Sequence, residues 1–126
     1  MAYIIDGMDM FDIEVEPEVR AWLESLSDEH YGRAMYRAEM LAESAGTLGE
    51  PYSRHLDGKV RELRFSLDGR PVRITYWLAP QRRVILLTVF YKTRQRESAQ
   101  VERAVLAQKE CEAEHGHATE VFERKV

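Results

Sequence analysis

Cysteine is almost missing from this 126-residue chain, with Cys111 standing alone. One thiol closes no intramolecular disulfide, and without a CxxC or CxxH spacing it suggests no zinc site. Long apolar runs are missing as well. Nothing approaches the roughly 20 consecutive apolar residues of a spanning helix, and the longest run, Val84 to Phe90, has the length of a strand. The chain has no GxSxG, no Walker loop and no GxGxxG, so the commonest nucleophile and phosphate-cradle signatures are out. The first residues, Met1 to Phe11, carry Asp6 and Asp9 where a secretory signal would be basic, so a cytoplasmic protein without a membrane partner is expected.

What is present is a globular composition, 44% hydrophobic and 32% charged, of a length that fits one domain. The net charge of -4 conceals a sharp segregation. Residues 1 to 50 hold three basic groups against twelve acidic ones, and residues 97 to 126 hold four against seven. Residues 51 to 96 hold eleven basic groups against Asp57, Glu62 and Asp68. A block so basic within an acidic chain points to an anionic ligand, phosphate above all. A sheet face charged for solubility is the competing explanation.

Periodicity gives the order of elements. Met10 to Val15 alternates as a short strand, with Phe11, Ile13 and Val15 apolar. Pro17 suits the first turn of a helix containing Val19, Trp22, Leu23 and Leu26. Ser27 caps a second helix whose stripe runs from Tyr31 to Ala45, and the pair is expected to cover a sheet. Gly46 to Gly58 reads as a loop. Three strands follow, the first two joined by Asp68-Gly69, the strongest short hairpin signal. The third, Val84 to Phe90, is apolar at nearly every position, as for a central strand covered on both faces. A helix from about Glu97 to His115 completes an α+β domain spanning residues 1 to 126, with 1 to 9 and 117 to 126 expected to be loosely ordered.

A two-residue loop at Asp68-Gly69 sets Arg64 opposite Arg73, while Leu63 faces Ile74 and Phe65 faces Val72. The apolar pairs define a core face. Like charges directly opposed cost a few tenths to about 1 kcal/mol, which a bound phosphate would repay. An ion pair between Glu62 and Arg64 is the structural alternative. Lys92, Arg94 and Arg96 follow the third strand and are expected to converge with the hairpin arginines, with Tyr91 beside them. His30, His55, His115 and His117 make no helical metal motif, and no metal or cofactor is expected.

The run GKVRELRFSLDGRPVRITYWLAPQRRVILLTVFYKTRQRESAQVERAVLAQ resembles the carboxyl-terminal half of the RelE/HigB-like toxins, in particular the phage-derived HigB-like branch. The matched features are the charged first hairpin strand (VRELRF), the arginine of the second (VRITYW), the apolar third strand and the basic turn YKTRQRE into a helix. The resemblance covers about residues 52 to 112. It implies a toxin of a type II toxin-antitoxin pair, a ribosome-dependent mRNA endonuclease held inactive by an antitoxin, with the RelE/ParE-like order of elements.

Carried over by position, Arg64, Arg73, Tyr91, Lys92 and Arg94 are the implied catalytic residues, and Arg54, His55, Lys59, Arg61 and Arg96 the implied RNA-binding ones. The chemistry needs no metal: RNA supplies the 2′-OH, and the protein aligns it, moves protons and stabilises the phosphorane. Relatives of the RelE branch carry a tyrosine at the start of the last helix where this chain has Val101, which leaves the proton carrier among Lys92, Tyr91 and His55. The same resemblance extends to ParE-like gyrase inhibitors, and a non-catalytic nucleic-acid-binding module is the third reading.

Overall fold

The computed structural model describes residues 2–3, 11–93, 97–114 and 124. The elements are β1 (Ala2–Tyr3), β2 (Asp12–Val15), α1 (Pro17–Ser25), α2 (Asp28–Ser44), β3 (Ser53–Asp57), β4 (Val60–Leu67), β5 (Arg70–Ala79), β6 (Arg83–Tyr91) and α3 (Ser98–Glu114). The fold is α+β, with six strands ordered β1-β2-β6-β5-β4-β3. The β2–β6 pair is parallel and the others are antiparallel.

Local chemistry explains the elements. Pro17 opens α1, and the Ser27 hydroxyl accepts from the His30 N–H at the start of α2. Asp68 and Gly69 both adopt positive φ, 49° and 81°, as a primed two-residue hairpin turn demands. Asp68 is also bound to His30 Nε2 at 2.8 Å and to Arg33 at 3.2 Å, which ties the hairpin tip to α2. Those two partners, His30 foremost, hold the Asp68 carboxyl below its usual pKa.

The sheet is covered on both faces. Ile13, Val15, Leu63, Val72, Ile74, Tyr76 and Leu86 form one core with α1 and α2. Val60, Trp77, Ala79, Ile85 and Leu87 form a second with Ala104 and Cys111 of α3. The near-continuous apolar run of β6 therefore serves two cores at once. Beyond the four residues paired to β2, the β6 edge is closed by side chains from both layers. The Val89 N–H donates to Glu18 of α1 at 2.9 Å, and Arg103 of α3 donates to the Val89 carbonyl at 3.5 Å and pairs with Glu18. Such a clasp satisfies an edge that would otherwise template aggregation.

The structure departs from the sequence pattern in three places. The expected loop from Gly46 to Gly58 contains β3, so the meander has four strands. SRHLD escapes detection because an exposed edge strand needs no apolar alternation, and only Ser53 is buried, its hydroxyl bound to that of Tyr76. Glu14 is buried although β2 reads as half-exposed, because Arg83 meets it across the β2–β6 pair at 2.5 Å and 3.3 Å. The two-residue β1 has no pattern to detect. Apart from Ala2, Tyr3 and Arg124, the expected loose ends lie outside the described residues. Arg124 donates to the Leu23 carbonyl at the end of α1, at 2.6 Å.

Cys111 behaves as the apolar helix residue its sequence context suggests. Burial against Trp77 and Leu87 pushes its thiol pKa up to about 11. At pH 8 only about one thiol in a thousand is then ionised. The native protein should react with a disulfide reagent orders of magnitude more slowly than the guanidinium-unfolded chain; equal rates would mean that α3 does not cover this face.

Candidate nucleic-acid interface

The hairpin register matches the sequence expectation: Arg64 lies opposite Arg73, Leu63 opposite Ile74 and Phe65 opposite Val72. Since paired residues share a face, Arg64 and Arg73 project away from the α1/α2 core, to the side on which α3 packs. The row continues to Phe90 of β6, and the next row holds Glu62, Thr75 and Thr88. The two threonine hydroxyls are joined at 2.5 Å. Pro51, Arg64, Phe65, Ser66, Pro71 and Arg73 line an open cavity of about 320 Å³ at this end of the sheet.

Glu62 is the group that makes the arginine pair tolerable. Its Oε1 lies 3.5 Å from Arg64 Nε and 3.7 Å from Arg73 Nε, and Glu50 reaches Arg64 from outside at 3.6 Å. The structural alternative read from the sequence is thus present and larger than expected, with one buried carboxylate serving two guanidinium groups. It does not satisfy them. The Nε atoms of both arginines are buried without a hydrogen-bond partner, and Arg73 donates only to its neighbour's carbonyl, Val72 O, at 3.0 Å. Burial lowers the Arg73 pKa, with Glu62 opposing and Arg64 adding to the effect.

The contrast with Arg83 and Glu14 is instructive. That pair is also buried, but it is bidentate, the geometry of a satisfied ion pair. In the Glu62 cluster one buried carboxylate is shared by two guanidinium groups, the exposed Glu50 is the second carboxylate, and both arginines line a cavity. Its chemistry suits a tetrahedral oxyanion.

The other sequence candidates distribute unevenly. The Lys92 backbone N–H donates to the Pro71 carbonyl at 2.9 Å, so this exposed residue stands at the rim of the arginine cavity. Arg54, opposite Glu62 on β3, is exposed at the sheet edge on the same face and has no ion pair among the described residues. Tyr91 is not with the arginines. It pairs with Val72 and so lies on the α1/α2 face, where its hydroxyl accepts from Trp22 Nε1 at 3.2 Å and the Arg70 guanidinium covers its ring at 3.9 Å.

Arg61 also turns to that face, with its Nε 3.3 Å from the Tyr76 hydroxyl. His55 binds the Gly58 carbonyl at 2.9 Å at the opposite end of the hairpin, and Lys59 pairs with Glu112 of α3. The strict two-residue alternation of a strand separates Tyr91 and Arg61 from Arg73. Arg94 and Arg96, like His115 and His117, lie outside the described residues. The sharing of Glu62 between both arginines was the main feature that sequence reasoning missed, although its i, i+2 spacing to Arg64 put it on the right face.

A small two-faced α+β domain with a basic cavity at one end of its hairpin is the class these features define. The family model Phage derived protein Gp49-like (DUF891) matches residues 21–111, and the chain belongs to that family, in agreement with the resemblance carried by its hairpin motifs. No curated protein matches in sequence. Among solved structures, an arginine double mutant of the E. coli toxin RelE in the free state is similar, at 16% identity and TM-score 0.48, over 82% of this chain and 98% of its own.

Glu62→Gln removes the buried carboxylate that Arg64 and Arg73 share. Leaving buried charge uncompensated is expected to cost about 3 kcal/mol in denaturant unfolding. Glu50→Gln, on a carboxylate that is mostly exposed, should cost well under about 1 kcal/mol. Equal effects would show that Glu62 does not hold the pair.

Proposed function

We propose that this protein is the toxin of a bacterial type II toxin-antitoxin pair and acts in the cytoplasm as a ribosome-dependent mRNA endonuclease. The single observation that carries the reading is the Arg64–Glu62–Arg73 cluster, two directly opposed arginines that share one carboxylate and line an open cavity. Membership of the phage-derived family and the resemblance of residues 52 to 112 to RelE/HigB-like toxins support it.

In this reading the scissile phosphate enters beside Arg64 and Arg73. The 2′-oxygen of the preceding ribose attacks phosphorus as its proton leaves, the bond to the 5′ oxygen breaks, and a 2′,3′-cyclic phosphate and a 5′-hydroxyl result. The arginines stabilise the charge that develops on the phosphorane. Glu62 is the nearest carboxylate for the 2′-OH proton, and Lys92 at the rim is suited to protonate the leaving oxygen. Tyr91 and His55 have no part in this scheme because they lie away from the cavity. Arg54 adds a phosphate contact along the edge, and Arg94 and Arg96 belong to the basic turn that meets the RNA backbone. The antitoxin neutralises the same basic surface, and opposite charge would steer the two together.

Induction of this chain alone should arrest growth and create new mRNA ends inside reading frames, relieved by co-expression of the cognate antitoxin. Intact mRNA with gyrase-dependent DNA damage would instead make it ParE-like. Arg73→Ala should reduce ribosome-dependent cleavage by about 10² or more, as loss of one preorganised donor does. Its unfolding free energy should stay within about 1 kcal/mol of wild type, since one repulsion disappears while Glu62 keeps Arg64. Lys92→Ala should impair cleavage similarly, and Arg20→Ala on α1 should leave it unchanged. A folded Arg73→Ala protein that cuts at the wild-type rate would refute the assignment.

A further inference from the structure

The outer flank of α2 holds an arrangement that the cleavage scheme does not use. Tyr36 is 63% exposed and Tyr52, just before β3, is 40% exposed. The Arg37 guanidinium lies between them, 5.5 Å from one ring centroid and 5.4 Å from the other. Both distances fall within cation–π range, so the arginine orders two rings whose remaining surfaces face solvent. Arg37 has no carboxylate partner among the described residues; its other contact is the Met40 sulfur at 3.4 Å.

This platform is continuous with the arginine cavity. A groove of about 420 Å³ runs beside α2 past Arg33, Tyr36 and Arg37 to Phe65 and Ser66, and Asp28 and Glu29 of the first α2 turn also line it. It shares Phe65 and Ser66 with the cavity of Arg64 and Arg73. A side chain at Gly32 would meet nothing within 4 Å, so the groove is open above that residue. From the other side, the Tyr52 carbonyl accepts from the Arg64 N–H at 2.8 Å, so the backbone carrying the second ring adjoins that of Arg64.

We propose that Tyr36, Arg37 and Tyr52 form a second subsite that stacks unpaired nucleobases of the RNA strand next to the phosphate held by Arg64 and Arg73. The proposal rests on the nucleic-acid reading of that cavity. Accessible aromatic faces accept any base, and a cation between them with no carboxylate partner among the described residues complements the phosphate that joins two stacked nucleotides. A protein segment would need apolar pockets or a carboxylate to match this surface, and RNA matches it with a π-face and a backbone phosphate in every residue.

The test uses a single-stranded 2′-O-methyl RNA oligonucleotide carrying 4-thiouridine, which cannot be cut, presented to the full chain free and on programmed ribosomes. Crosslinks are expected at the peptides containing Tyr36 and Tyr52 as well as at β4 and β5. Tyr36→Ala and Tyr52→Ala should each weaken binding roughly tenfold at low salt with an unchanged melting midpoint, and Tyr36→Phe should retain it. Crosslinks confined to β4 and β5, or unaltered affinity in both alanine variants, would overturn the platform and leave the cleavage reading intact. Loss of antitoxin binding with unaltered RNA affinity would likewise overturn it, assigning the surface to the protein partner. Crosslinks at the tyrosines from a protein that cleaves no mRNA would support the platform and refute the nuclease. No crosslink at either site would overturn the platform, and the cleavage assay would then decide the nuclease separately.

Discussion

The two-residue turn at Asp68 and Gly69 is the constraint from which the rest of the interface follows. Both residues must hold positive φ, and the aspartate is fixed from outside by His30 and Arg33. With the turn set, the register of β4 against β5 has no freedom, because a slip of one residue in β4 would drive Arg64 into the core and expel Leu63 while β5 kept its faces. The hydrophobic core therefore enforces an arginine opposition that the local interaction energy disfavours.

How the protein bears that opposition separates two kinds of buried charge. Arg83 and Glu14 close upon each other in a bidentate pair. Glu62 is divided between Arg64 and Arg73 at distances too long for good hydrogen bonds, so the strand pair is held together without being saturated. A saturated cluster would compete with an incoming phosphate. The proposed phosphate site accepts this incomplete pairing, at a cost in stability that the two cores on either side of the sheet can absorb.

The arrangement of layers gives the cavity its access. α3 covers Trp77, Ile85 and Leu87 toward one end of the sheet and leaves the Arg64–Arg73 end open, while the Glu18–Arg103 clasp ties α3 to α1 around the β6 edge. Fold alone does not prescribe chemistry. The phosphate site proposed here comes from the opposed arginines at the cavity, which another member of the same fold class need not possess.

The sequence by itself determined the elements whose signals are local: the helix starts at Pro17 and Ser27, the hairpin with its register and the apolar central strand. It also put Glu62 on the face of Arg64, because period two along a strand is fixed by geometry. Only the tertiary structure decided which basic residues meet. Tyr91 and Arg61 read as neighbours of the arginines in a linear charge count, yet pairing with Val72 and Tyr76 sends them to the other face. β3 lacked a pattern because an edge strand gains its order from its neighbour's hydrogen bonds, and Glu14 read as exposed because its partner Arg83 is 69 residues away. Charge density along a chain is a sequence property, whereas convergence depends on register, twist and the placement of helices over a sheet, which no short window contains.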